Sequence, residues 1–190
     1  MRERDGTMVD GTDLGLIPRI LFATDGAITH ILEAYAREPV DLVTLSSRLA
    51  DTSDLRGLGV ADGERALRRI SLLRGATTGR VFVHGESVVI VDRLPRAAGD
   101  ELVRLGGGLL DVLSRHGIGT FRETVDAWDG EDPAVAARLG VGAGDVLVGR
   151  TYHVVVGGRP VAWITERFPR DGFSSPAGGA PASQGAVHRP

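Results

Sequence analysis

Cysteine is absent from the 190 residues. That excludes a disulfide framework, a thiolate nucleophile and any zinc site built on sulfur. No stretch reaches the ~20 apolar residues that a membrane-spanning helix needs; the nearest approach, residues 14–23, is interrupted by Pro18 and Arg19. The opening residues include Arg2, Glu3, Arg4 and Asp5 and lack the apolar core of a signal peptide. These absences make the cytoplasm the expected location and argue against a membrane partner. Positive charge is not concentrated anywhere: the formal net charge is −3, with acids and bases interspersed. The chain therefore has no electrostatic footprint for nucleic acid. The histidines, His30, His84, His116, His153 and His188, show neither H-x-x-x-H nor H-E-x-x-H spacing, so metal binding is not expected. There is no G-x-S-x-G elbow for a serine hydrolase. Gly142-Ala143-Gly144-Asp145 reads as a turn, because no Lys-Ser/Thr pair follows to make it a phosphate loop. No repeat of solenoid or propeller length is present.

What is present suits one ordinary globular domain, with 42% hydrophobic and 25% charged residues. Residues 1–13 are polar and aperiodic, a flexible leader. Residues 171–190 are rich in Gly, Ala, Ser and Pro, a composition that does not offset ordering entropy and predicts a disordered tail. The folded domain is expected over 14–170. Within it, residues 17–22 read as a short helix and Thr24-Asp25-Gly26 as a turn. Ile28, Ile31, Leu32 and Tyr35 recur at helical spacing, which predicts a helix over 27–36 with Asp25 as its cap. Strands are expected at 40–45, 67–73, 80–91 and 117–128, with a loop at 57–63. Leu102, Leu105, Leu109, Val112 and Leu113 predict an amphipathic helix over 99–115, weakened by Gly106-Gly107-Gly108. A short helix follows at 133–139, and a hairpin occupies 146–168. Strands in hairpin-joined runs with helices inserted between them predict an α+β fold, an antiparallel β-sheet flanked by helices.

The hairpin is the most informative stretch. Two β-rich segments flank Gly157-Gly158, a pair suited to a tight turn that needs positive φ. In its second strand Ala162, Ile164, Glu166 and Phe168 share one side, apolar except for Glu166. A carboxylate is costly to bury unless a cation or a hydrogen-bond donor meets it. Glu166 therefore marks a site or sits at the rim of a sheet, and pattern alone leaves the two readings even. Upstream, Arg68 and Arg69 point to opposite faces of a strand. Arg69 shares its face with Leu67, Ser71 and Leu73, and Arg68 shares its own with Ile70 and Leu72, so periodicity does not choose between them.

These segments resemble the chorismate pyruvate-lyases. In that family an arginine-bearing strand turns through Gly-x-Pro into a strand ending Thr-Glu-x-Phe, as Gly158-Arg159-Pro160 and Thr165-Glu166-Arg167-Phe168 do here. Residues 21–33 are similar to the family's N-terminal segment, and Arg68-Arg69-Ile70-Ser71-Leu72-Leu73-Arg74-Gly75 to its central arginine strand. Gly85-Glu86-Ser87 and Asp92-Arg93-Leu94-Pro95 are similar to the next strand and its exit loop. The likeness runs in order over about residues 16–169. It implies a chorismate lyase-like fold and the conversion of chorismate to 4-hydroxybenzoate and pyruvate, with no metal or organic cofactor. It also implies roles for four residues. Glu166 falls on the glutamate beside the substrate's ring hydroxyl, and Arg69 on the arginine that holds a substrate carboxylate. Leu109 falls on a leucine at a helix start whose backbone N–H binds the same carboxylate, and Ile28 on an apolar residue over the ligand. For the leucine, ungapped spacing selects Leu109 while Leu105-Gly106 matches the local letters better. The family's proline is missing there and Leu110 replaces its glycine. Glu86 and Ser87 match a Glu-Ser pair and are assigned a structural role. The alternative is a non-catalytic module that binds a small aromatic acid, like the effector domains of one class of bacterial transcription regulators. Those follow a winged-helix DNA-binding domain, whereas here a short leader precedes the first helix and no basic recognition helix is evident.

Overall fold

A computed structural model of the chain describes residues 13–24, 27–50, 55, 59–105 and 107–173. In chain order the elements are α1 (Leu16–Ala23), α2 (Ile28–Ala36), β1 (Val40–Ala50), β2 (Ala66–Gly75), β3 (Val81–Ile90), a 3₁₀ turn (Val91–Arg93), α3 (Arg96–Leu105) and α4 (Leu109–Arg115). They continue with β4 (Phe121–Gly130), α5 (Pro133–Leu139), β5 (Leu147–Val156) and β6 (Arg159–Pro169). The strands form one antiparallel sheet in the order β1-β2-β3-β6-β5-β4. This is the expected α+β class, with five α-helices among the described residues. The turn at Asp25-Gly26, its proposed cap, residues 1–12 of the leader and residues 174–190 of the tail lie outside the described residues. Phe173, at the start of the compositional tail, packs its ring near those of Tyr35, Phe82 and Phe168.

Two strands differ in their bounds, β1 running on to Ala50 and β4 spanning Phe121–Gly130, and one helix departs in kind. The single helix over 99–115 is two, α3 and α4, because Gly107 takes φ 83° and reverses the backbone between them. Gly108 becomes the N-cap of α4 and Leu109 its first residue. The Gly157-Gly158 turn behaves as expected, with φ 57° and 80°, as a two-residue hairpin loop requires.

Helices α1 to α4 cover one face of the sheet in two groups, and α5 packs with Leu147 on the other. Leu21 of α1 and Ile28 and Leu32 of α2 pack with Leu73, Val83 and Phe168. Leu102 of α3 and Leu109, Val112 and Leu113 of α4 pack with Leu67, Val89, Val154 and Ala162. Between these two apolar clusters the sheet face carries polar side chains, and a cavity lies there.

Beyond the hairpin turn, one ion cluster ties loops to strands. The Arg93 guanidinium donates to Glu64 at 2.9 and 2.7 Å, to the Pro160 carbonyl at 2.9 Å and to the Gly59 carbonyl at 2.6 Å. Arg159 donates to the same Glu64 carboxylate at 2.9 Å. The Arg93 hydrogen bond, with the Ala61 N–H and the two arginine charges assisting, lowers the Glu64 pKa to about 2 from an ordinary 4.5. A folded-state pKa below the unfolded one gives stability that is present above pH 4.5 and lost as pH falls towards about 2. Denaturant unfolding followed across that window should therefore show wild type losing its advantage over Glu64→Gln. A pH-independent gap between the two would remove Glu64 from the acid response.

Candidate active site

Two rows of paired residues cross the polar part of the sheet. In one, Arg69 of β2 pairs with Ser87 of β3, Ser87 with Ile164 of β6, and Ile164 with Tyr152 of β5. In the next, Ser71 pairs with Gly85, Gly85 with Glu166, and Glu166 with Arg150. Paired residues in an antiparallel sheet point to the same face, so these rows, Arg150 apart, form the floor of a cavity of about 250 Å³. Ile28 at the start of α2 and Leu109 at the start of α4 belong to its walls. All four residues singled out in the sequence, Ile28, Arg69, Leu109 and Glu166, thus line one cavity.

Arg69 is the arginine that turns inward. It is 5% exposed, while Arg68 faces solvent. Its Nη2 donates to the Thr44 hydroxyl at 3.2 Å, and its Nε is buried without a hydrogen-bond partner. Burial lowers its pKa, and no acid of the described residues acts on it to offset that. A guanidinium held this way is short of an anion, and its planar fork suits a carboxylate.

Glu166 is met from both sides. Arg150, 2% exposed, donates its Nε to Oε2 at 2.9 Å and brings Nη2 to 2.8 Å from the same oxygen. The Tyr152 hydroxyl donates to Oε1 at 2.8 Å. Burial first, and the Glu166 charge second, push the Tyr152 phenol well above its usual pKa range. The phenol accordingly keeps its proton and serves as a donor. Arg150 also donates Nη1 to the Thr24 and Phe22 carbonyls at 2.7 and 3.3 Å, which fastens the end of α1 to the sheet.

Ile28 is buried with the α1–α2 cluster, and its neighbours Ala27, Thr29 and His30 share the cavity wall. Of the two leucines considered, Leu109 opens α4 and lines the cavity, whereas Leu105 ends α3 and is 73% exposed. The first N–H groups of a helix have no intrahelical acceptor, so the Leu109 backbone is a donor at the wall. Asp111, in the same first turn, adds a carboxylate to the lining. Ser87, given a structural role from sequence, is on the cavity floor, while Glu86 pairs through its carboxylate with Arg167 at 2.7 Å.

Sequence reasoning missed Arg150, Tyr152, Thr44, Ser71 and Arg122. Arg150 and Tyr152 stand in the hairpin at 146–168, across from Glu166 and Ile164 in a register that a bulge displaces from the regular ladder. Among the described residues no group of three or more His, Asp or Glu side chains is arranged as metal ligands. No described helix is long and apolar enough to cross a membrane.

No family model matches the chain. It is similar to the chorismate pyruvate-lyase of Mycobacterium tuberculosis, 32% identical over 160 residues that cover 82% of this chain and 80% of the relative. The chorismate pyruvate-lyase of Mycobacterium leprae is also 32% identical over 160 residues, 82% of this chain and 75% of that one. Among solved structures, the effector domain of PhnF from Mycobacterium smegmatis superposes with a TM-score of 0.56 at 17% identity, covering 77% of this chain and 89% of that domain. A GntR-family transcriptional regulator from Bacillus cereus gives 0.53 at 12% identity, over 71% of this chain and 94% of that one. At such identities these two matches speak for the fold alone.

Proposed function

The chain belongs to the chorismate pyruvate-lyase family, and from that premise we propose that it eliminates pyruvate from chorismate to give 4-hydroxybenzoate. The observation that carries this reading is the buried Arg69 guanidinium, which has no carboxylate partner among the described residues and opens on the same cavity as Glu166. Such a cavity takes a small acid whose carboxylate completes the arginine's contacts. In the reaction the ring carbon bearing the hydroxyl gives up its hydrogen as a proton. The neighbouring ring carbon loses its C–O bond to the enolpyruvyl arm, which takes up a proton and becomes pyruvate. The ring that remains is aromatic. Aromatisation drives the reaction, so the protein's task is to position and polarise.

Arg69 would hold the ring carboxylate with help from the Leu109 N–H, and Ile28 would lie against the ring. Glu166 would meet the ring hydroxyl and assist proton transfer. Its orientation is supported by Arg150 on one oxygen and Tyr152 on the other. Product would be retained at Arg69, because the ring carboxylate does not change during the reaction.

The test is direct. Purified protein incubated with chorismate should release 4-hydroxybenzoate and pyruvate in equal amounts. Saturable binding of 4-hydroxybenzoate with no pyruvate formed would overturn the enzyme reading in favour of a binding module of the same fold.

A further inference from the structure

A second guanidinium lines the cavity. Arg122 of β4 is half-buried, and its guanidinium carbon lies 5.3 Å from the centre of the Tyr152 ring. The Tyr152 hydroxyl is the one that donates to Glu166. Arg122 therefore sits on the β4–β5 side of the cavity, joined to Glu166 through Tyr152, while Arg69, bonded to Thr44 of β1, is on the β2 side. Their strands, β2 and β4, are four spacings apart, ~19 Å, and the Arg122 guanidinium reaches back over Tyr152 of β5 to shorten that span. Two cations so placed suit a ligand with a carboxylate at each end.

Chorismate is such a molecule. One carboxylate is on the ring, and the other is on the enolpyruvyl arm. That arm leaves from the carbon adjacent to the one bearing the hydroxyl. A group that grips the hydroxyl thus stands one ring bond from the arm, and Arg122 packs on the tyrosine bonded to that group. We propose that Arg122 receives the carboxylate of the departing arm, so that the cavity selects dianions over monoanions. The inference rests on the lyase reading for the identity of the ligand. It also divides the charge between the products: the arm carries one carboxylate away as pyruvate, and the ring keeps the other at Arg69.

The test uses ligands that cannot react. 4-Hydroxybenzoate carries one carboxylate, and 3-(carboxymethoxy)-4-hydroxybenzoate adds a second on an ether arm in the position of the leaving group. Calorimetric titration of the wild type should favour the dianion by about tenfold, the worth of one hydrogen-bonded charge contact. Arg122→Gln should abolish that preference while the 4-hydroxybenzoate affinity stays within about twofold, and Arg122→Lys should restore part of it. No preference in the wild type, or equal weakening of both ligands in Arg122→Gln, overturns the proposal. Should the glutamine variant fail to fold, the wild-type and lysine titrations decide it. Pyruvate release with no dianion preference would sink this inference alone. An Arg122-dependent preference without pyruvate release would sink the lyase reading alone.

Discussion

Glu166→Gln is expected to lose most turnover, with kcat down about 10²- to 10⁴-fold, the usual worth of a positioned acid–base group. The same substitution is expected to lower thermal stability for a separate reason. Arg150 is 2% exposed, and Glu166 is the carboxylate that faces it. Breaking a buried ion pair from one side leaves a charge without compensation, at a cost of about 3–5 kcal/mol. Glutamine keeps one oxygen that can still accept from Arg150, so the lower end of that range is expected. The two effects separate in a second variant, Arg150→Met combined with Glu166→Gln, which removes both charges. Replacing a buried pair by neutral side chains removes the uncompensated charge, so the double variant should recover part of the melting temperature, short of what Arg150 supplied through the Thr24 and Phe22 carbonyls, and remain inactive. Both variants should still bind 4-hydroxybenzoate through Arg69. A kcat within threefold of wild type in a folded Glu166→Gln would remove the carboxylate from the chemistry.

The pair that makes this prediction two-sided was only half legible in the sequence. The Gly157-Gly158 turn was plain, since both positions need positive φ and only glycine adopts it freely. Counting outward from that turn in a regular ladder, however, sets Glu166 opposite Gly149. The observed register sets it opposite Arg150, because a bulge between Val154 and Val155 inserts one residue. A bulge has no periodic signature, so the arginine that meets Glu166 and the tyrosine that shares it went unseen. The Thr44 contact to Arg69 is hidden in the same way, by an irregularity between Thr44 and Ser46 on edge strand β1. The choice between Arg68 and Arg69 was silent for a different reason: apolar residues flank both on a strand whose two faces are each partly covered. There the family resemblance supplied Arg69. The glycine run was legible as a weak point of one helix but not as its end. Whether Gly107 continues a helix or takes φ 83° depends on which faces α3 and α4 bury, a tertiary matter.

The opposite stability effect is expected at Arg69. A buried cation without a carboxylate partner costs folding free energy, and here that cost is held for a ligand. Arg69→Met keeps the length and apolar volume of the side chain and removes the charge. The unliganded variant should melt at or above the wild-type temperature, the reverse of Glu166→Gln. Function should move the other way. A hydrogen bond to a charged group is worth up to about 3 kcal/mol, so affinity for 4-hydroxybenzoate should fall roughly a hundredfold. The same loss appears in melting curves. Wild type should gain stability with ligand concentration as RT ln(1 + [L]/Kd), while Arg69→Met should show almost no gain over the same range. Arg69→Lys restores charge but not the planar fork, so its affinity should lie between the two. If Arg69→Met melts well below wild type, the arginine is a structural strut whose partners already satisfy it. If it still gains stability with ligand as wild type does, the carboxylate is held elsewhere in the cavity. Either result would break the link between the unpaired guanidinium and a small acidic substrate. The two arginines thus make opposite demands on the fold: Arg150 is stabilised by a carboxylate the chain supplies, and Arg69 waits for one it does not.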